Sequence, residues 1–202
     1  MTSLTKDLFY LAGALRDGSV HYDKASRNYT IVWYSKDKSY LAKSIAKKVA
    51  RSFGKKADVY EYKRGQYRVK IGSMEIYDTI KQTFDFPDEG IGQVAWGASN
   101  KLRTTRRELK YAYIRGMFDA EGDVSVRNRY LEVSQKNTEI LKWIKDELQS
   151  SKINSGGIVL ADRKSSTYKI VISAKKSVRL FKDKIGFEME RKRRMLERLC
   201  LN

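Results

Sequence analysis

Apolar positions along the chain follow two periods, and the order in which those periods alternate occurs twice. Leu8 to Leu15 is an almost unbroken apolar helix, closed by Asp17 and Gly18. A strand follows over Tyr29 to Tyr34. Ser35 to Lys38 then opens an amphipathic helix whose stripe is Leu41, Ile45, Val49 and Phe53. Two more strands, 59–62 and 67–71, lead into a helix from Met74 to Phe84. The series begins again at Tyr111, where an apolar helix runs to Glu121 and Gly122, its terminal acid 104 positions after Asp17. The echo continues with a strand at 130–133, a helix striped by Ile140, Leu141, Ile144 and Leu148, strands at 158–160 and 168–172, and a helix from Lys175 to Ile185.

This order predicts an α+β chain of two pseudo-symmetric αββαββα repeats, each an antiparallel sheet with helices on one face and the other face free. Residues 1–84 form the first repeat. Residues 85–105, which hold Pro87 and several Gly and Ser, read as a linker, and 106–202 form the second repeat with a basic C-terminal helix from Met189 to Leu199.

Charge narrows the partners. Lys and Arg number 42 against 24 Asp and Glu, a net charge of +18, yet 41% of residues are hydrophobic, too many for a disordered polycation. A folded chain with that excess expects a polyanion. No stretch approaches a membrane span, which puts nucleic acid ahead of lipid. Cys200 is the only cysteine and no apolar leader core follows Met1, which implies an intracellular, reducing compartment and excludes a thiolate metal cluster. With His21 the only histidine, hydrolysis would have to run on carboxylates and metal.

Asp17 and Glu121 are the candidates for that chemistry. A carboxylate in a helix's last turn faces the negative end of the macrodipole, an arrangement that a divalent cation reverses. One acid before glycine is ordinary turn chemistry; two at equivalent places in a duplicated basic chain point to a site.

Ile114 to Gly122 resembles the nonapeptide that names the LAGLIDADG homing endonucleases, and Tyr10 to Gly18 resembles a more divergent copy. Duplication in one chain resembles the monomeric two-repeat members. The resemblance implies motif helices packed at the repeat interface through small residues, here Ala12, Gly116 and Ala120. Arg16, where a small residue is expected, implies either a shifted helix or an arginine directed outward to phosphate. The resemblance further implies Mg²⁺ held by Asp17 and Glu121, with Lys36, Gln135 and Lys136 at the strand-to-helix junctions supporting catalysis.

The implied partner is double-stranded DNA, cut in both strands at a long asymmetric target. A cleavage-inactive nucleic-acid-binding relative, such as a maturase acting on intron RNA or a DNA-binding regulator, is the alternative. The free sheet faces would read bases in the major groove. Alternation puts Val69, Ile71, Ile170 and Ile172 toward the helices, hence Gln66, Arg68, Lys70, Thr167 and Lys169 toward DNA. Arg27, Tyr29, Ser125 and Arg127 are expected on the same faces. Tyr60, Tyr62 and Tyr67 are expected to pack within the sheet, and Arg191 to Arg194 either to bind backbone or to solvate a helix face.

Overall fold

A computed structural model describes residues 4–87 and 95–201. The first repeat runs α1 (Lys6–Ala14), β1 (Gly18–Asp23), β2 (Asn28–Ser35), α2 (Lys38–Tyr40), α3 (Lys47–Phe53), β3 (Val59–Lys63), β4 (Gln66–Gly72) and α4 (Met74–Phe84). A π-helical stretch, Leu41–Ala46, joins α2 to α3, so the expected amphipathic helix is continuous. After α5 (Asn100–Thr104), the second repeat runs α6 (Arg107–Glu121), β5 (Gly122–Ser125), β6 (Tyr130–Gln135), α7 (Thr138–Ser150), β7 (Val159–Asp162), β8 (Thr167–Ile172) and α8 (Lys175–Lys184), with α9 (Glu190–Leu201) at the end. Both sheets are antiparallel, in the orders β1-β2-β4-β3 and β5-β6-β8-β7. The architecture is the expected α+β duplication.

One core serves both repeats. Ile31, Trp33, Val69 and Ile71 from the first sheet and Val124, Leu131, Val133, Ile170 and Ile172 from the second are buried against the helices, as period-two alternation requires. Between the sheets α1 and α6 cross. A Cβ on Gly13 would collide with the Tyr113 carbonyl oxygen, and one on Gly116 with that of Tyr10, so the backbones touch only because glycine stands at both points.

The seam therefore rests on Gly13 and Gly116. Ala12 is fully buried, whereas Ala120 is half-buried and lines a cleft beside Asp17. Four residues beyond Gly116, the seam has opened into that cleft.

The two motif copies also differ in winding. Tyr10 and Gly13 match Tyr113 and Gly116 with an offset of 103, whereas Asp17 matches Glu121 with 104. After Ala14 the first helix tightens into a 3-10 turn, Leu15–Asp17. Three such residues rise about 6 Å, as four α-helical residues do from Phe118 to Glu121, so the shorter copy still delivers its acid level with the longer one.

The segment between the repeats is packed where it is described. Trp96 is buried and its indole N–H donates to the Phe84 carbonyl at 2.7 Å, while Ser99 caps α5 by accepting from the Leu102 N–H. Residues 88–94 of the expected linker lie outside the described residues.

Candidate active site

The C-terminal ends of α1 and α6 meet in a cleft lined by Asp17, Lys36, Ala120, Gly122, Arg191 and Lys192. Asp17 ends the 3-10 turn and is open to the cleft; Glu121 ends α6 and is half-buried. Desolvation by the surrounding protein pushes Asp17 up to about 6, against the pull of Lys192. Burial, then the negative charge of Asp17, push Glu121 up to about 7, while the hydrogen bond from Gln135 and the charge of Lys192 oppose the shift. The two carboxylates thus feel each other's charge. The Gln135 amide donates to Glu121 Oε1 at 3.0 Å, which places that expected residue in contact with the acid.

Lys36 lines the cleft on the first repeat's side. Lys136 is exposed at the equivalent junction of the second.

Lys192 was not among the expected site residues. It is 4% exposed, and its ammonium donates to the carbonyls of Phe118 at 2.9 Å and Asp119 at 2.6 Å, the last turn of α6. Burial lowers its pKa to about 8 even though Asp119 and Glu121 favour the charged form. Its charge therefore offsets the negative end of the helix dipole beneath Glu121. A sequence signal existed. Lys192 falls in step with Leu196 and Leu199, the buried stripe of α9, and so belongs to the docked face and not to the solvated one.

Of the two expectations for Arg16, a shifted helix or an arginine directed outward to phosphate, the first holds: the motif helix changes winding at Leu15–Asp17, and Arg16 is buried. It stacks 3.9 Å from the Trp96 ring centroid and donates to Tyr113 Oη and to the carbonyls of Trp96 and Gly97. The tighter winding of the 3-10 turn rotates it into the protein.

Among the described residues no cluster of three or more His, Cys, Asp or Glu side chains is placed to hold a metal ion. Asp17 and Glu121, carboxylates at the ends of the two motif helices, are nonetheless the donor type that fits Mg²⁺, which keeps several waters and takes one or two carboxylates together with substrate phosphates.

The free face of the first sheet carries Gln66, Arg68 and Lys70, opposite in parity to the buried Val69 and Ile71. Tyr62 lies on this face too: Tyr34 is 5.2 Å away, the Arg68 guanidinium 5.6 Å from its ring, and its hydroxyl donates to Gln66. Tyr60 is 52% exposed. Of the three tyrosines expected to pack within the sheet, only Tyr67 packs against the core.

Tyr29 is a correction. It shares parity with Ile31 and Trp33, stacks on Tyr22 at 4.5 Å and meets Tyr77 of α4 at 5.1 Å, so it faces the helices and not the open face. Arg27 and Arg127 sit in exposed hairpin turns instead of strands. Ser125, Thr167 and Lys169 lie on the free face of the second sheet, where Lys169 pairs with Glu132 at 2.9 Å and Ser125 Oγ accepts from the Asn128 N–H.

A duplicated chain whose two crossing motif helices each end in an acid, near enough that the charge of Asp17 acts on Glu121, defines a two-repeat LAGLIDADG-type protein, and residues 108–186 match the family model described as a LAGLIDADG-like domain. Over 195 residues the chain is 34% identical to the homing endonuclease I-ApeI of Aeropyrum pernix, covering 95% of this chain and 86% of that protein. It belongs to the LAGLIDADG homing endonuclease family. The fold is shared with I-DmoI solved in complex with DNA and Ca, at a TM-score of 0.74 and 18% identity over 96% of this chain and 98% of that one. It is also shared with full-length DUF199/WhiA from Thermatoga maritima, at 0.61 and 19%, over 100% of this chain and 61% of that one.

Proposed function

We propose that the protein is a monomeric, site-specific DNA endonuclease that uses Mg²⁺ at Asp17 and Glu121 to cut both strands of a long asymmetric target. The observation that carries this reading is the pair of desolvated carboxylates at the ends of two crossing helices. Residues 1–84 and 106–202 would each read one half of the target. Their open faces differ residue by residue, Gln66, Arg68 and Lys70 against Ser125, Thr167 and Lys169, which favours an asymmetric sequence.

When bound, the metal supplies water activation and charge neutralisation at the phosphate. The chain supplies the arrangement. Gln135 orients Glu121 through their hydrogen bond, and Lys192 steadies the turn that carries it. Lys36 places an ammonium at the cleft edge, where it can pair with phosphate or hold a proton in transit, and Lys136 offers the same group in the second half.

The test compares wild type with Asp17→Asn and Glu121→Gln on a library of long duplexes, in Mg²⁺ or EDTA, scoring binding and cleavage separately. Metal-dependent cutting at one site, lost in either variant while binding persists, is expected. Tight binding by wild type with no cleavage in any divalent metal would mark the chain as a binding relative, and intron RNA would be the ligand to try next.

A further inference from the structure

α9 presents two faces. Lys192, Leu196 and Leu199 are buried, which leaves Arg191, Arg194 and Arg198 exposed at i, i+3 and i+7 on the opposite side. These arginines, with Asp37, Lys43 and Ser44 across from them, line a groove of about 690 Å³ between α9 and the first repeat's helix. The groove shares Asp37 and Arg191 with the cleft that holds Asp17, so the two adjoin.

The acids of the groove are already engaged. The Glu188 carboxylate takes Lys48 at 2.8 Å and the Ser44 hydroxyl, Asp37 caps α2 by accepting from the Tyr40 N–H at 2.9 Å, and Glu190 pairs with Arg194. Among the described residues, Lys43, Arg191 and Arg198 have no carboxylate partner, and the exposed Arg194–Glu190 pair holds its arginine only weakly. The result is a row of exposed guanidinium groups on one helix, with most of their donors free of carboxylates, the chemistry that recognises phosphate.

We propose that this groove carries a phosphodiester backbone of the bound DNA beyond the catalytic cleft, on the side of the first repeat. The inference rests on the DNA reading above. Seven residues of helix rise about 10 Å, which matches about three phosphates at 3.4 Å of duplex axis each. The contact is one-sided because α9 follows the second repeat alone.

The experiment measures duplex affinity against salt for wild type, for the triple variant Arg191→Gln, Arg194→Gln and Arg198→Gln, and for a charge-matched triple outside the groove, Lys142→Gln, Lys176→Gln and Lys182→Gln. Melting temperature checks that each is folded. Each lost phosphate contact removes about 0.9 from the slope of log affinity on log salt, so the groove variant should be shallower by about two to three, with a smaller change in the control. Hydroxyl-radical footprinting should show protection lost on one side of the cleft only. A groove variant with the wild-type slope, or a control triple with an equal loss, overturns this inference while leaving the endonuclease reading intact. Wild type that shows no salt-dependent duplex binding overturns both.

Discussion

Arg16 and Asp119 occupy equivalent turns of the two motif helices, 103 residues apart, and do the same task with opposite charge. Each reaches across the seam to the other helix's tyrosine: Arg16 donates to Tyr113 Oη at 2.7 Å, and Asp119 accepts from Tyr10 Oη at 2.6 Å. Each also holds the segment by which its own repeat exits. Arg16 donates to the carbonyls of Trp96 and Gly97, whereas Asp119 accepts from the N–H groups of Glu188 at 2.9 Å and Met189 at 3.0 Å. Those exit segments then pack on the opposite repeat, through Arg103 with Glu139 on one side and Glu188 with Lys48 on the other. Polarity is inverted because one side chain meets carbonyls and the other amides. The carboxylates of the site are thereby mounted on two helices that cannot slide independently.

Arg16→Met tests this fastening at nearly constant volume. It strands the Tyr113 hydroxyl and two carbonyls, which should cost about 2–4 kcal/mol and lower Tm by roughly 5–15 °C. Arg16→Lys keeps the charge but cannot span three acceptors, so it should recover less than half of the loss. Scanning fluorimetry decides. A Met variant melting within about one degree of wild type would remove Arg16 from the account.

The seam makes an equally direct prediction. Gly13→Ala and Gly116→Ala each force a methyl against backbone of the facing helix, which has no rotamer by which to yield. Each should destabilise by about 2–3 kcal/mol, a Tm fall of roughly 4–12 °C, and should reduce cleavage more than duplex binding because the acids move apart. Gly54→Ala separates the two effects, since that glycine stands at φ 64° with open space around it and should lose only about 1 kcal/mol to backbone strain, with cleavage and binding unchanged. Unchanged melting in both seam variants would show that the helices are not in close contact.

The fold was legible because duplication printed the same alternation of periods twice, and each copy supported the reading of the other. The placement of Asp17 and Glu121 at equivalent helix ends was legible for the same reason. What stayed hidden depended on rotation about a helix or strand. Tyr29 went to the wrong face although Ile31 and Trp33 fix its parity, because its hydroxyl and ring suit either environment. The sequence leaves Arg16 between a helix shift and an outward reach because no residue pattern announces a change from α to 3-10 winding. Trp96 and its neighbours read as linker from glycine and serine content alone, yet one large ring is enough to hold the segment in the core.

Face assignment separates stability from binding. Tyr29→Ala removes a ring stacked on Tyr22 and tilted against Tyr77 and should cost about 1–3 kcal/mol of stability with duplex affinity unchanged at temperatures where it is folded. Arg68→Ala, from the open face, should do the reverse. Its Tm should hold while affinity falls by about 1–3 kcal/mol, which is roughly 5- to 150-fold. Paired melting and titration measurements that gave the opposite assignment would reverse the faces of the first sheet.

Glu121 gives a pH signature in the metal-free protein. Its folded pKa of about 7 lies above the ordinary glutamate value of 4.5, so over that interval the native state binds more protons than the unfolded chain and stability falls as pH rises. Asp17 and Asp119, both near 6, act in the same direction but finish earlier, which leaves the step from about 6 to 7 largely to Glu121. Lys192, lowered to about 8, acts above this window and with the opposite sign. In EDTA, wild type should therefore lose on the order of 2–3 kcal/mol between pH 5 and 8 from Glu121 alone, and Glu121→Gln should flatten the 6-to-7 segment and melt higher than wild type at pH 8. Mg²⁺ should raise the wild-type Tm at pH 8, where the carboxylates are charged, and leave Glu121→Gln nearly unmoved. Parallel pH profiles for the two proteins would mean that Glu121 is no more desolvated than an ordinary surface acid, and the cleft would lose its claim to a metal.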